Sequence, residues 1–409
     1  MTPQQLAAVR AEFPALSTNI VFLDNAGGSQ VLKRVADRIH HYLTATSVQL
    51  GASYATSVEA SARVVAARRS VATLINAAHD EEVVMGSATT LLMFLFTQAL
   101  RLGIQPGDEI IISNTDHESN IGGWMRLQEA GAVIKVWEVN RETLELDLSD
   151  LDRLLTSRTK WVAVTHASNV LGTVNPVAEI ARRVHAVGAK LCVDGVAYAP
   201  HRLVDVQASG ADVYVFSFYK VFGPHYAVLW GKRDLLLSLP SLNHHFIGAN
   251  VLPYKLQPGN VNFELSDGCA GIADYLMTMG ETFGSQGTAR QKMQAAFDLF
   301  AKHEDNLAET LLSYLRTKKN VRIIGRDRVT NNDRMPTISF VAHGKQSQTI
   351  VRHVDQFGIG IRFGAFYAQR LIDAIGIRQQ GGVVRVSIAH YNTEAEISKL
   401  INALETILP

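Results

Sequence analysis

Asp194, Ser217 and Lys220 carry a carboxylate, a hydroxyl and an amine at a spacing that brings them together. The runs K-L-C-V-D (190–194) and D-V-Y-V-F-S (212–217) are apolar and of strand length, and each ends on a polar group. Lys220 follows three residues after Ser217, on the loop beyond the second strand. In an open α/β sheet the loops at the carboxyl ends of the strands face the ligand crevice. The three groups are therefore expected to converge on one site.

Their chemistry suits pyridoxal phosphate. That cofactor takes a lysine amine for a Schiff base and an aspartate opposite its pyridine nitrogen. The aspartate keeps the nitrogen protonated, so the ring can accept electrons from a substrate carbanion. A hydroxyl just before the lysine can hold the phosphate. Asp194 and Lys220 lie 220 − 194 = 26 residues apart, room for a strand end, a connection and the next strand. An ordinary strand-end carboxylate and a surface lysine would satisfy the same spacing.

The elements that must position these groups follow a regular order. E-V-V-M-G (82–86), D-E-I-I-I-S (108–113), A-V-I-K-V-W-E-V (132–139), W-V-A-V-T-H (161–166) and A-K-L-C-V-D (189–194) read as strands. Helical patterns alternate with them, which argues for a mainly parallel sheet covered on both faces. Earlier, 31–49 and 58–77 carry helical spacing. Ser87, Ala88 and Thr89 open an apolar helix, where unpaired N–H groups suit either a phosphate or a simple hydroxyl cap. His117 stands at a strand's carboxyl end, where a lone histidine serves structure more often than catalysis. After about residue 285 come a long helical pattern (286–318), short strands at 321–324, 337–342 and 383–388, and helices near 346–357 and 393–408. That is a smaller α+β region. Arg385 lies inside its strand V-V-R-V-S-I, and a charge there needs a partner. A structural salt bridge would supply one. A guanidinium can equally grip a carboxylate through two hydrogen bonds.

A chain of 409 residues exceeds the usual single core, so two domains are expected. The formal net charge of +1 gives no reason to expect nucleic acid or an acidic membrane surface as partner. The N-terminal residues lack the apolar core of a signal peptide, and no apolar run approaches the roughly 18 residues of a membrane span. Cys192 and Cys269 make no disulfide framework. A cytoplasmic enzyme without a metal is the simplest reading.

T-H-A-S-N-V-L-G-T (165–173), V-D-G-V-A-Y-A-P-H (193–201) and S-F-Y-K-V-F-G-P-H (217–225) resemble the class V aminotransferase group of fold-type I pyridoxal phosphate enzymes, and within it the cysteine desulfurase and selenocysteine lyase-like branch. L-D-N-A-G (23–27), D-H-E-S-N-I (116–121) and V-R-V-S-I-A-H-Y-N-T (384–393) match in the same order, so the resemblance covers nearly the whole chain. It implies a large cofactor domain (20–285) with a mainly parallel seven-stranded sheet, and a smaller α+β domain from 1–19 and 286–409. It implies Lys220 as the catalytic lysine and Asp194 under the pyridine nitrogen. His117 would stack on the ring, and Asn169 would face its phenolic oxygen. Ser87, Ala88, Thr89, Ser217 and Tyr219 would surround the phosphate, and Arg385 would take the substrate's carboxylate. The glycine-rich segment 256–271 would cross a homodimer interface, with Asn260 reaching the partner's phosphate in place of the usual small hydroxyl residue.

Three departures bear on the reaction. Desulfurases carry a nucleophilic cysteine on a mobile loop; here that loop reads I-R-F-G-A-F-Y-A-Q-R-L, with Tyr367 at the cysteine's place. A phenol cannot form a persulfide. Ala197 replaces a side chain that hydrogen-bonds the cofactor, and Tyr219 stands where desulfurases have histidine. The expectation is an enzyme that removes the α-proton of a small amino acid and eliminates a β-thiol, a C–S lyase. Transamination or epimerisation begins with the same proton removal. The missing cysteine also admits a non-catalytic carrier of the cofactor, partnered with a sulfur-transfer assembly.

Overall fold

The computed structural model describes residues 1–330 and 333–408; Pro409, the last residue of the expected smaller domain, lies outside them. Thirteen strands form among the described residues: β1 (Val21–Phe22), β2 (Val83–Gly86), β3 (Glu109–Ser113), β4 (Val133–Trp137), β5 (Thr159–Thr165), β6 (Lys190–Asp194), β7 (Val213–Ser217), β8 (Ala227–Gly231), β9 (Val321–Ile324), β10 (Thr337–Ala342), β11 (Ile359–Gly360), β12 (Arg362–Gly364) and β13 (Val383–Ser387).

Seven of them make one sheet in the order β2-β8-β7-β6-β5-β3-β4. Every residue of β3, β7 and β8 is buried. Near-continuous apolar runs of this kind are what a sheet covered on both faces requires. Only β8 runs against the rest, pairing antiparallel with β7 and β2. The reason is length. The connection from Phe218 to Tyr226 is too short for the crossover that a parallel neighbour needs. In the register, Asp194 pairs with Val215, so Asp194 and Ser217 emerge at the same sheet edge.

A second sheet, β12-β13-β10-β9, is antiparallel throughout. β1 pairs with β11 in a separate parallel ribbon. Two cores result, and the chain's ends divide between them. Val9 and Phe13 pack in the core of the large sheet, whereas Val21 and Leu23 pack with the small sheet. The helix Ala289–Arg316 also serves both, through Met293, Phe297 and Phe300 on one side and Leu307, Leu311 and Leu315 on the other. The chain thus passes from one core to the other between Phe13 and Val21 and again between Phe300 and Leu307.

The second half of the glycine-rich stretch 256–271 begins a 20-residue helix, Phe263–Thr282, capped by Asn262, whose Oδ1 accepts from the Leu265 N–H. Its glycines mark a close crossing rather than a turn. A Cβ on Gly268 would lie 2.6 Å from Ile39, and one on Gly271 would lie 3.2 Å from the backbone nitrogen of Val35. Both neighbours belong to the helix Lys33–Ala45. Among the described residues, no helix is long and apolar enough to cross a membrane.

Candidate active site

A cleft at the carboxyl edge of the large sheet, with about 480 Å³ of empty space including its mouth, is lined by Thr89, His117, Asn169, Asp194, Ser217 and Lys220, with Ala88 and Tyr219 beside them. Eight residues singled out in the sequence thus meet in one place. Thr90, Ser119, Thr165, Ala167, Val196 and Ala197 complete the wall. Of these only Ala197 was singled out by itself, although Ser119, Thr165, Ala167 and Val196 fall within the quoted runs 116–121, 165–173 and 193–201.

Asp194 ends β6 and is 2% exposed. Its Oδ1 accepts the Val196 N–H at 2.8 Å, and its other oxygen has no partner among the described residues. Burial pushes the carboxyl up to about 6, against the pull of the Val196 N–H and the Lys220 charge. Lys220 closes the one-turn 3₁₀ helix Phe218–Lys220 beyond β7 and is buried. Burial brings its amine down to about 8. The Arg385 charge acts in the same direction, and Asp194 and Asp24 oppose it. An amine that sheds its proton near neutrality is suited to act as nucleophile and base.

The helix Thr89–Arg101 starts at the cleft with Ala88 as its cap residue, so no side chain caps its free N–H groups. Thr89 Oγ1 and Ser217 Oγ lie 2.6 Å apart beside them. Free N–H groups, a positive helix end and two hydroxyls form an anion cradle. His117 Nδ1 accepts from the Ser119 N–H at 3.0 Å, which leaves the hydrogen on Nε2. Burial, then the charges of Lys220 and Arg385, push this imidazole down to about 4, so it is neutral.

Arg385 is reached through a chain of contacts and does not line the cleft. Its Nη1 donates to the Asn169 carbonyl at 3.2 Å and its Nη2 to Asp24 Oδ1 at 3.1 Å. The Phe366 ring lies 3.7 Å from the guanidinium carbon. The Nε is buried without a partner. The Asp24 contact is the salt bridge that a charged residue in this strand required, and Asp24 itself had not been singled out. Its place in L-D-N-A-G, against Gly27, was the available signal. A Cβ on Gly27 would lie 2.9 Å from the Asp24 carboxylate. Ser87 and Asn260 lie elsewhere, both exposed on a groove beside Tyr226 and Leu256, away from this chain's own lysine.

The loop after β12 folds down over the site. Asn169 Nδ2 donates to the Phe366 carbonyl at 2.9 Å, and the Glu118 N–H donates to the Tyr367 carbonyl at 2.8 Å. Phe366 and Tyr367 have φ of +53° and +58°, a left-handed conformation that costs non-glycine residues roughly 1–3 kcal/mol each. Tyr367 is 76% exposed, with its ring 5.1 Å from that of His117. Both cysteines are buried, and burial raises each thiol well above its ordinary range.

Comparison with known proteins agrees with this geometry. The family model described as aminotransferase class-V matches residues 21–400. The aminotransferase-like protein FGM3 of Gibberella zeae is 42% identical over 98% of both chains. The cysteine desulfurase-like protein ustD of Aspergillus flavus is 33% identical over 98% of this chain and 90% of its own. The crystal structure of the cysteine desulfurase CsdA from Escherichia coli superposes with a TM-score of 0.84 at 28% identity, covering 98% of each chain. The chain belongs to the class V aminotransferase family. It is a pyridoxal phosphate-dependent enzyme of fold type I, with cysteine desulfurase-like relatives. The residues present fit the cofactor: an uncapped helix end with two hydroxyls for a phosphate, a buried carboxylate with one open oxygen for a pyridinium, and a buried amine with a lowered proton affinity.

Proposed function

We propose that the enzyme is a C–S lyase, acting on a small β-thiol amino acid by α-proton removal and β-elimination without a persulfide. The observation that supports this reading is the burial of both cysteines, Cys192 in β6 and Cys269 in the helix Phe263–Thr282, with the exposed Tyr367 on the loop after β12. A phenol of ordinary pKa about 10 is a poor sulfur acceptor near neutral pH.

When bound, pyridoxal phosphate supplies an electron sink for the pair released at the substrate's Cα. Lys220 would bind it and then carry the Cα proton. Asp194 would hold its positive nitrogen. Thr89, Ser217 and the N-terminus of their helix would take its phosphate, with Ala88 and Tyr219 beside them. His117 would cover the ring, and Asn169 would reach its oxygen edge. Arg385, already buttressed by Asp24 and Phe366, would turn its unpaired Nε or a displaced Nη to the substrate's carboxylate. The Phe366–Tyr367 loop would exclude water.

The exposed position of Asn260 and Ser87, away from the cleft of their own chain, supports a homodimer in which Asn260 serves the partner's phosphate. A division into a cofactor domain and a smaller domain also belongs to this reading, with Ala289–Arg316 shared between them. An amino-acid screen of the purified holoenzyme tests the proposal. Release of sulfide, ammonia and pyruvate from cysteine is expected; alanine or a racemised substrate in their place would refute it.

A further inference from the structure

Behind Lys220 lies a second, smaller chamber. It shares Val196, Ala197 and Lys220 with the cleft and is closed by Ser29, His201 and Phe222. The space for the centre of a water-sized sphere inside it is about 10 Å³, near the minimum for one water molecule. Its guest is therefore a single heavy atom with its hydrogens, and the short side chain of Ala197 lines both spaces.

The chamber's polar lining is Asn25, Ser29, His201, Lys220 and Thr337, of which His201 alone is an imidazole. Its Nδ1 lies 3.1 Å from both carboxylate oxygens of Glu304, a residue with no exposure. Arg202 pairs with the same carboxylate at 3.7 Å. An ionised carboxylate only accepts, so Nδ1 carries a hydrogen and donates it. That contact orients the ring and leaves Nε2 on the opposite edge, where no partner is found among the described residues. The neighbouring buried histidines differ. His303 Nε2 is tied to the Asn392 carbonyl at 2.8 Å, and His390 Nε2 to the Tyr275 hydroxyl at 2.7 Å. Neither lines the chamber. A carboxylate that orients an imidazole lining a cavity, with the imidazole's other nitrogen unpartnered among the described residues, is the arrangement of a general acid or base.

We propose that His201 is the acid that protonates the group leaving the substrate's β-carbon, that Glu304 is its positioning residue, and that the chamber receives that group, a single sulfur or oxygen atom. This rests on the elimination reading above. Lys220 takes the Cα proton, and the C–H electron pair becomes the second Cα–Cβ bond. The Cβ–S bond breaks with its pair on sulfur, and protonated His201 passes the Nε2 hydrogen to it. Water converts the unsaturated product to pyruvate and ammonia. Cysteine and water thus give pyruvate, ammonia and hydrogen sulfide, with no change of overall oxidation state. Without the acid, a thiolate would be left as an unpaired anion in a buried site.

The test compares L-cysteine with β-chloro-L-alanine on the holoenzyme, since chloride leaves without a proton. His201→Asn keeps an N–H for Glu304 and removes Nε2. It is expected to slow pyruvate release from cysteine about 10²–10⁴-fold, the usual worth of a general acid. Cα–H exchange in D₂O and pyruvate release from β-chloroalanine stay within a few-fold of wild type. Glu304→Gln gives a smaller loss with the same selectivity, and carries the test if His201→Asn does not fold. Equal losses on both substrates would show a structural role and overturn the assignment. Undiminished cysteine turnover in His201→Asn, with wild type releasing pyruvate, would overturn it while elimination stands. A wild type that exchanges the Cα proton but releases no pyruvate from either substrate would sink elimination and this acid together.

Discussion

Lys220 should capture its cofactor with a pH dependence set by its surroundings. Only the neutral amine is nucleophilic. With its proton affinity lowered from 10.5 to about 8, roughly a quarter of the amine is neutral at pH 7.5, against about one part in a thousand for an ordinary lysine. The difference is about 200-fold in reactive amine, and burial supplies most of it. Arg385 adds to the shift, so Arg385→Gln should move the midpoint upward. The assay is rapid mixing of cofactor-free protein with pyridoxal phosphate from pH 6 to 10, followed by absorbance. Dividing by the rate with a free alkyl amine removes the cofactor's own titration. The capture rate should climb about tenfold per pH unit and level off near 8. A climb continuing unbroken to pH 10 would refute the claim that burial and Arg385 tune this lysine.

Borohydride reduction of the holoenzyme should fix the cofactor to a peptide containing Lys220, as peptide mass mapping would show, and Lys220→Ala should abolish Cα–H exchange. Mixed dimers of Lys220→Ala with Asn260→Ala should regain part of the activity that each variant lacks alone, because one composite site per dimer is intact; activity no better than the averaged homodimers would refute the shared site. Glu109, 1% exposed, is raised by burial but held down to about 2 overall by hydrogen bonds from Lys135, Thr156 and Arg158. Its folded pKa lies below the ordinary 4.5, so it contributes stability above about pH 4.5 that is lost as pH falls toward 2. That contribution is about 3 kcal/mol, and denaturant titrations of Glu109→Gln should show a correspondingly flatter acid limb.

Much of the site was legible because cofactor chemistry here is local to strand ends. Asp194, Ser217 and Lys220 could be placed from two apolar runs and a three-residue offset, and the strands 321–324 and 337–342 appear at the bounds their patterns suggested. What escaped is long-range. Nothing local tells that Asp24 will pair with Arg385 across 361 residues, or that Glu304, in the middle of a long helix, will orient His201. Nor does the sequence tell that Gly268 and Gly271 sit at a tight helix crossing, because glycine serves a turn and a crossing equally well and only the partner helix decides. The antiparallel β8 was missed because its apolar pattern carries no direction.

Elimination without a persulfide is tested by intact-protein mass spectrometry together with product analysis after turnover of L-cysteine. The protein mass should be unchanged, with free sulfide, pyruvate and ammonia in equal amounts. Alanine formed in step with one added sulfur atom on Cys192 or Cys269 would contradict it.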